Sequence, residues 1–261
     1  MAGTAELLLA ALVVTVPAKG RQGDHSFSGE YAVSFLGIPV ATSQFNSTFK
    51  NGAYSVKGAF SAAGLAKIFD DTKGSISSYG RILADGAAQP ARFHSDYTSG
   101  KKAYTIDVRF AGGNVVSTKV TPPPRKRGAD WISLRAGDLK DVADPLALTM
   151  IGADNLDKVC GRKMRFYDSE MRADLTLSYV STGSISVPGY DGPTVTCQLK
   201  FDPVSGYRKG RKAIEFVRTK SRITVTFAPL GQTGVYAPIR ATVGTEIGPI
   251  TIQARRFEAT N

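Results

Sequence analysis

The sequence is poor in the residues that carry metal and redox chemistry: two cysteines, two histidines and one tryptophan among 261 residues. That is too few for a zinc-finger array or a multi-metal centre, and no metal or cofactor is implied. The zincin HExxH, the redox CxxC, the nucleophile elbow GxSxG and the phosphate-binding GxxxxGK[ST] are all missing. No stretch reaches the roughly 20 apolar residues of a membrane-spanning helix. A hydrophobic fraction of 42% with 21% charged residues excludes a mostly disordered chain. Glycine (27) and proline (13) are frequent but follow no collagen period. What is in surplus is positive charge, a formal +11. The length allows one large domain or two small ones, and a chain of this size folds without a metal or disulfide staple.

The longest apolar run is short. Leu7 to Ala18, LLLAALVVTVPA, holds 12 residues and no charge. It suits the apolar part of a secretory signal peptide, with Val16 and Ala18 as the small residues before cleavage and Gly20 as a second choice. We expect a signal over 1–20 and one β-rich domain over 21–261. The preceding MAGTAE lacks Lys or Arg and carries Glu6, which leaves a start codon further upstream open. A buried amino-terminal helix is the alternative. Export agrees with the cysteine count: Cys160 and Cys197 form an even pair for an oxidising compartment. Their bridge would close a loop of about 38 residues, contributing about 3–4 kcal/mol. Two free buried thiols are the alternative.

The body reads as strands. In Lys102–Phe110, Tyr104, Ile106, Val108 and Phe110 alternate with Thr105, Asp107 and Arg109. Val195, Cys197, Leu199 and Phe201 alternate with threonines, Gln198 and Lys200. Ile223–Phe227, Leu175–Tyr179 and Ile250–Ala254 repeat the pattern. Tyr31, Val33 and Phe35 begin a hairpin that bends at Gly37-Ile38-Pro39 and resumes over Phe45–Phe49. About 11 to 14 strands separated by Gly, Pro, Asn and Asp predict a mainly β fold: one strongly curved antiparallel sheet or an open, spiral β-barrel. Two short helices are expected. One spans Ala62–Asp70, with Leu65, Ile68 and Phe69 at helical spacing. The other starts at Asp144-Pro145, where Asp caps free amides and Pro suits the first turn, and ends at Gly152. Either would plug or flank the sheet. Three prolines make the basic stretch over 121–128 a stiff extended loop dividing two halves of the sheet.

Catalytic candidates are weak. Cys160 with His94 has nucleophile–base chemistry, against half a disulfide for Cys160 and a surface or hydrogen-bonded role for His94. His25 falls in the amino-terminal stretch and is expected exposed. The acidic pairs Asp70-Asp71 and Asp168 with Glu170 sit in turn-like contexts and read as solvated. The basic surplus gathers in Arg125, Lys126 and Arg127, in Arg208, Lys209, Arg211 and Lys212, and in Arg255-Arg256. Such clusters attract phosphates. For an exported chain the partners are acidic lipids, lipopolysaccharide phosphates or anionic glycans rather than nucleic acid. Solvated loops on a basic protein are the bland alternative.

The order of several motifs resembles the bacterial exported family known as domain of unknown function 3108. The likeness runs from about Tyr31 to Phe257. It is carried by YAVSFLGIPVA, YSVKGAFSAAGLAKIF, ISSYGRILADGAAQPARF, DPLALTM, CGRKMRFYDSEMRADLTL and CQLKFDPVSGY. The resemblance implies a Gram-negative envelope protein without established catalytic residues, similar in kind to open curved β-barrels of the periplasm. The expected function is non-enzymatic envelope maintenance in the periplasm, binding an acyl chain, a lipoprotein or an anionic glycolipid, with the basic loops holding a head group. A scaffold protein acting on an envelope partner is the second expectation. A cell-wall hydrolase using unidentified carboxylates is the third.

Overall fold

The computed structural model describes residues 24–64 and 71–260. The signal expected over 1–20 lies outside them, as does most of the helix expected over Ala62–Asp70. Sixteen strands follow in order. They are β1 (His25–Phe35), β2 (Ile38–Lys50), β3 (Ala53–Ala62), β4 (Lys73–Ile82), β5 (Ala88–Ser99), β6 (Lys102–Ala111), β7 (Asn114–Thr121) and β8 (Trp131–Ile132). After them come β9 (Ile151–Gly152), β10 (Lys163–Tyr167), β11 (Arg172–Val187), β12 (Tyr190–Ser205) and β13 (Tyr207–Arg208). Helix α1 (Lys212–Thr219) precedes β14 (Ile223–Pro229), β15 (Val235–Thr245) and β16 (Gly248–Thr260).

One 14-stranded antiparallel sheet runs β10-β11-β12-β14-β15-β16-β1-β2-β3-β4-β5-β6-β7, with β9 added to β15. The curved open sheet expected from alternation is therefore present. Val108 on β6 and Cys197 and Val195 on β12 are buried, whereas Arg109, Gln198 and Lys200 face out. A bulge between Tyr179 and Ser181 breaks the alternation expected over Leu175–Tyr179 and leaves Tyr179 exposed.

The sheet does not close on itself. The stretch Asp141–Ala143 fills the gap between its edge strands. The Val142 amide donates to the Gly113 carbonyl at 2.9 Å, and the Ala143 amide to the Arg165 carbonyl at 2.8 Å. Beside this seam, the Thr118 and Tyr167 hydroxyls lie 3.1 Å apart. The extended triproline stretch leaves β7 at one edge, and the chain, after pairing with β15 at β9, forms the other edge at β10. The loop thus separates the halves in sequence, while β1 joins them by pairing with β16.

Between those edges the chain plugs the barrel. Val142, Ala143, Leu146, Ala147 and Met150 enter a core with Phe27, Phe49, Tyr54, Phe93 and Phe257. The helix expected from Asp144 shrinks to one 3-10 turn, Ala147–Thr149. The cap itself forms: Asp144 Oδ1 accepts the amides of Leu146 (2.9 Å) and Ala147 (3.0 Å). The helix stops early because Ile151 and Gly152 pair with Tyr236 and Val235 of β15, so sheet hydrogen bonds replace further helical ones. Cys160 and Cys197 form a disulfide that ties the end of this segment to the inner face of β12.

Candidate binding cleft

The plug fills only one end of the barrel. On the concave face beyond it lies a cleft of about 360 Å³. Its walls follow from the period-2 rule. Phe27, Tyr31 and Val33 come from β1, Ser43, Phe45 and Ser47 from β2, Val225 from β14, Ala241 from β15 and Ile252 from β16. Leu146, Thr149 and Met150 of the plug form its floor. Arg240, itself exposed, is the one charged residue of the lining. The polar tips within this zone are partly spent: the Tyr31 hydroxyl donates to the Pro238 carbonyl at 3.0 Å, and burial pushes its pKa well above the ordinary phenol value. The wall is therefore mostly apolar.

Two residues further along the same strand faces is a second apolar cleft of about 360 Å³. Phe35, Ile250 and Thr245 continue the lines of Val33, Ile252 and Ala241–Val243, and Ala213, Phe216 and Val217 of α1 roof it. The helix was missed in the sequence, where its charged flanks read as loop. Its signal was Ile214, buried, with Val217 one turn on. A third cleft of about 460 Å³, at the far end near the β4–β5 turn, is lined by Asp85, Asp141, Arg162 and Arg165. Arg162 is committed there to the carbonyls of Asp85, Gly152 and Lys158.

The basic clusters expected to contact anions share one end of the barrel. Strands β8 and β13 pair, Trp131 with Arg208 and Ile132 with Tyr207, and this small ladder brings the two clusters to neighbouring positions. Some cations serve the fold there. Arg127 lies 4.1 Å over the Trp131 ring and pairs with Glu170. Arg208 Nε lies 3.1 Å from Asp130. Arg125, Lys126, Lys209, Arg211 and Lys212 are exposed and make no ion pair among the described residues. Arg256 pairs with Glu258.

The remaining candidates serve the fold as well. Cys160 is bridged and is no free thiol. His94 stands on β5 with Nε2 2.7 Å from Asp96, hydrogen-bonded as one alternative had it. His25 opens β1 opposite Phe49 and is half-buried, because the sheet reaches further toward the amino terminus than expected. Asp168 accepts the amides of Glu170 and Met171 in the β10–β11 turn, and burial raises its pKa. Asp70 lies outside the described residues, and Asp71 is exposed.

Sequence reasoning gave Asp144 only a capping role. It is fully buried, and its Oδ2 accepts the Ser78 hydroxyl at 2.8 Å, with the Tyr54 hydroxyl 3.2 Å beyond. Burial pushes its pKa up to about 6, opposed by bonds from the Ala147 amide, the Ser78 hydroxyl and the Leu146 amide. This relay pins the plug to β3 and β4. Among the described residues no cluster of His, Cys, Asp and Glu could hold a metal ion, and no helix is long and apolar enough to cross a membrane.

A family model described as a protein of unknown function, DUF3108, matches residues 30–255. No curated protein matches the sequence. Among solved structures, the chain is similar to a beta-barrel-like protein of family DUF1849 from Brucella abortus. The TM-score is 0.47 and the identity 10%, over 90% of this chain and 98% of that one. A candidate exported protein with a YmcC-like fold from Bacteroides fragilis gives a TM-score of 0.33 and 12% identity, over 92% and 97% of the two chains.

Proposed function

We propose that this chain, which belongs to the DUF3108 family, is a non-enzymatic exported protein that holds one acyl chain for maintenance of the Gram-negative envelope. The observation that carries the reading is the mostly apolar cleft of about 360 Å³ on the concave face, left open beside the plug. Small-ligand clefts span about 300–1,000 Å³ and take their specificity from a few polar groups at the edge. A wall of Phe27, Val33, Phe45, Val225 and Ile252 offers an alkyl tail what it gains from leaving water, about 0.8 kcal/mol per methylene. The exposed bases at the rim supply the counter-charge for a carboxylate or phosphate head group. The disulfide and the signal-like start favour the periplasm as compartment.

The test is titration of the delipidated, oxidised protein with a fluorescent fatty acid. Saturable binding is expected, and Ser43→Phe with Ala241→Phe, which fill the cleft from two walls, should abolish it while the fold is retained. Absent binding by the parent protein, or equal binding by the filled variant, would remove the acyl-chain reading. The scaffold reading would then be pursued through a stoichiometric protein partner.

A further inference from the structure

Strand direction sorts the loops into two ends. At the far end, the turns Asn51–Gly52, Leu83–Ala87, Gly112–Gly113, Pro188–Gly189 and Leu230–Gly234 contain no Lys or Arg. At the end where the clefts open, Lys101 and Lys102 flank the β5–β6 turn, Arg125 and Lys126 follow β7, and Lys209 to Arg222 surround α1. The hairpin turns at the two ends thus differ in charge, and the bases at the far end are those of the stretch after the plug, Arg162, Lys163 and Arg165.

The end where the clefts open also exposes aliphatic side chains where hairpin chemistry calls for others. Leu36 and Gly37 form the β1–β2 turn with φ +50° and +84°. Asn51 and Gly52 make the same turn at the far end with φ +50° and +77°. Asn tolerates that left-handed backbone, whereas Leu does so at a cost. Leu36 is nevertheless there and 57% exposed, beside Ile38 at 53%. On the neighbouring β15–β16 turn Ile247 is 76% exposed. The two tips touch: Gly248, at φ +136°, packs so tightly on Leu36 that a Cβ there would lie 2.6 Å from Leu36 Cδ2. Exposure and left-handed strain at one leucine, next to an isoleucine that buries almost nothing, break two local rules together.

We propose that this end docks on an anionic phospholipid surface, with Leu36, Ile38 and Ile247 inserted among the acyl chains and the surrounding bases on the phosphates. The inference takes the cleft's occupant from the acyl-chain reading and adds where that occupant is collected. Charge complementarity chooses the occupant of the surface. Arg211, Lys212, Lys220 and Arg222 are exposed next to the tips without ion partners among the described residues, and Glu246 is the acid on the β15–β16 turn itself. Arg218 is neutralised by Glu215 at 2.6 Å. Ser221 Oγ donates to the Gly244 carbonyl at 2.7 Å, which places Lys220 and Arg222 against the β15–β16 hairpin. The roofed cleft of Phe35, Phe216 and Ile250 lies at the same tips, and the deeper one begins two residues further along β1, at Val33. A tail leaving the bilayer would meet mostly apolar wall, with Glu246 the charged residue of the outer cleft and Arg240 that of the deeper one.

The experiment is co-sedimentation of the oxidised full chain with phosphatidylcholine vesicles containing about 30 mol% phosphatidylglycerol, beside pure phosphatidylcholine vesicles. Binding to the anionic vesicles is expected. Removing the Lys220 and Arg222 charges together should weaken it by on the order of tenfold or more at low salt. Ile247→Asp should weaken it by at least about tenfold, because the lost apolar insertion adds to charge repulsion. Leu36→Asn suits the left-handed turn, so it should keep or raise the melting temperature while lowering vesicle affinity. Leu36→Asn, which lines neither cleft and removes no charge, should bind the soluble fluorescent fatty acid as the parent does, which separates failure of docking from failure of the cleft. Equal vesicle binding by parent, Ile247→Asp and Leu36→Asn would show adsorption by charge alone and overturn the proposal. So would a parent protein that ignores anionic vesicles.

Discussion

Asp144→Asn should make this protein more stable at neutral pH and leave it unchanged in acid. The carboxylate is fully buried, faces no cation, and holds the plug through the Leu146 and Ala147 amides and the Ser78 hydroxyl. Burial outweighs those bonds and moves the pKa from 3.8 up to about 6. A displacement of that size corresponds to about 3 kcal/mol. The folded protein therefore holds a proton between about pH 4 and pH 6 that the unfolded chain has released. Stability is highest below that window and falls as pH rises through it. Asparagine is isosteric and cannot ionise. Its carbonyl can accept both amides, and its NH₂ can donate to Ser78, whose hydroxyl then turns to Tyr54. Urea unfolding at pH 7.5 should show the variant more stable by up to about 3 kcal/mol, with a melting temperature higher by about 6 °C or more. At pH 4 the two proteins should coincide. A variant less stable than the parent at pH 7.5, or a difference that ignores pH, would refute the reasoning about the buried charge.

Other consequences follow from packing and covalent constraint. Replacing Cys160 and Cys197 together by Ser frees a loop of sequence separation 37 and should cost about 3–4 kcal/mol in denaturant titration. Gly86 combines φ +84° with a Cβ position 1.8 Å from the Gly152 carbonyl oxygen. Gly86→Ala should therefore displace the plug from the β4–β5 turn, and amide exchange at Gly152 should rise sharply. Phe257 is buried against the rings of Phe27 and Tyr190, at 4.6 and 5.6 Å. Phe257→Ala should cost about 3–5 kcal/mol by thermal or chemical unfolding.

Much of the sheet was legible because half-buried antiparallel strands write their burial directly into alternation. Tyr104 to Phe110 and Val195 to Phe201 are examples that the sheet places as read. The alternation fails at Tyr179, where a bulge adds one residue and turns the side chain outward. Periodicity does not encode such an insertion. The disulfide was legible because two cysteines leave only one pairing. The plug was legible only as a cap at Asp144. That its chain would run from the last strand of one half into the barrel is a tertiary fact with no local signal. The cleft was hidden for the same reason: Phe27, Ser43, Leu146, Val225 and Ile252 are scattered along the chain and meet only through the sheet's register. The basic runs were visible, but not that Asp130, Glu170 and Trp131 occupy two of their arginines, nor that the strand directions gather the runs at one end.

The central claim is that the concave face carries an acyl chain. Native mass spectrometry of the protein purified gently from its native host tests it most directly. The account predicts a reproducible adduct that fragments as a single-tailed lipid or fatty acid and disappears in the variant with Ser43→Phe and Ala241→Phe. A bare chain, or an adduct that the filled cleft still retains, would contradict it.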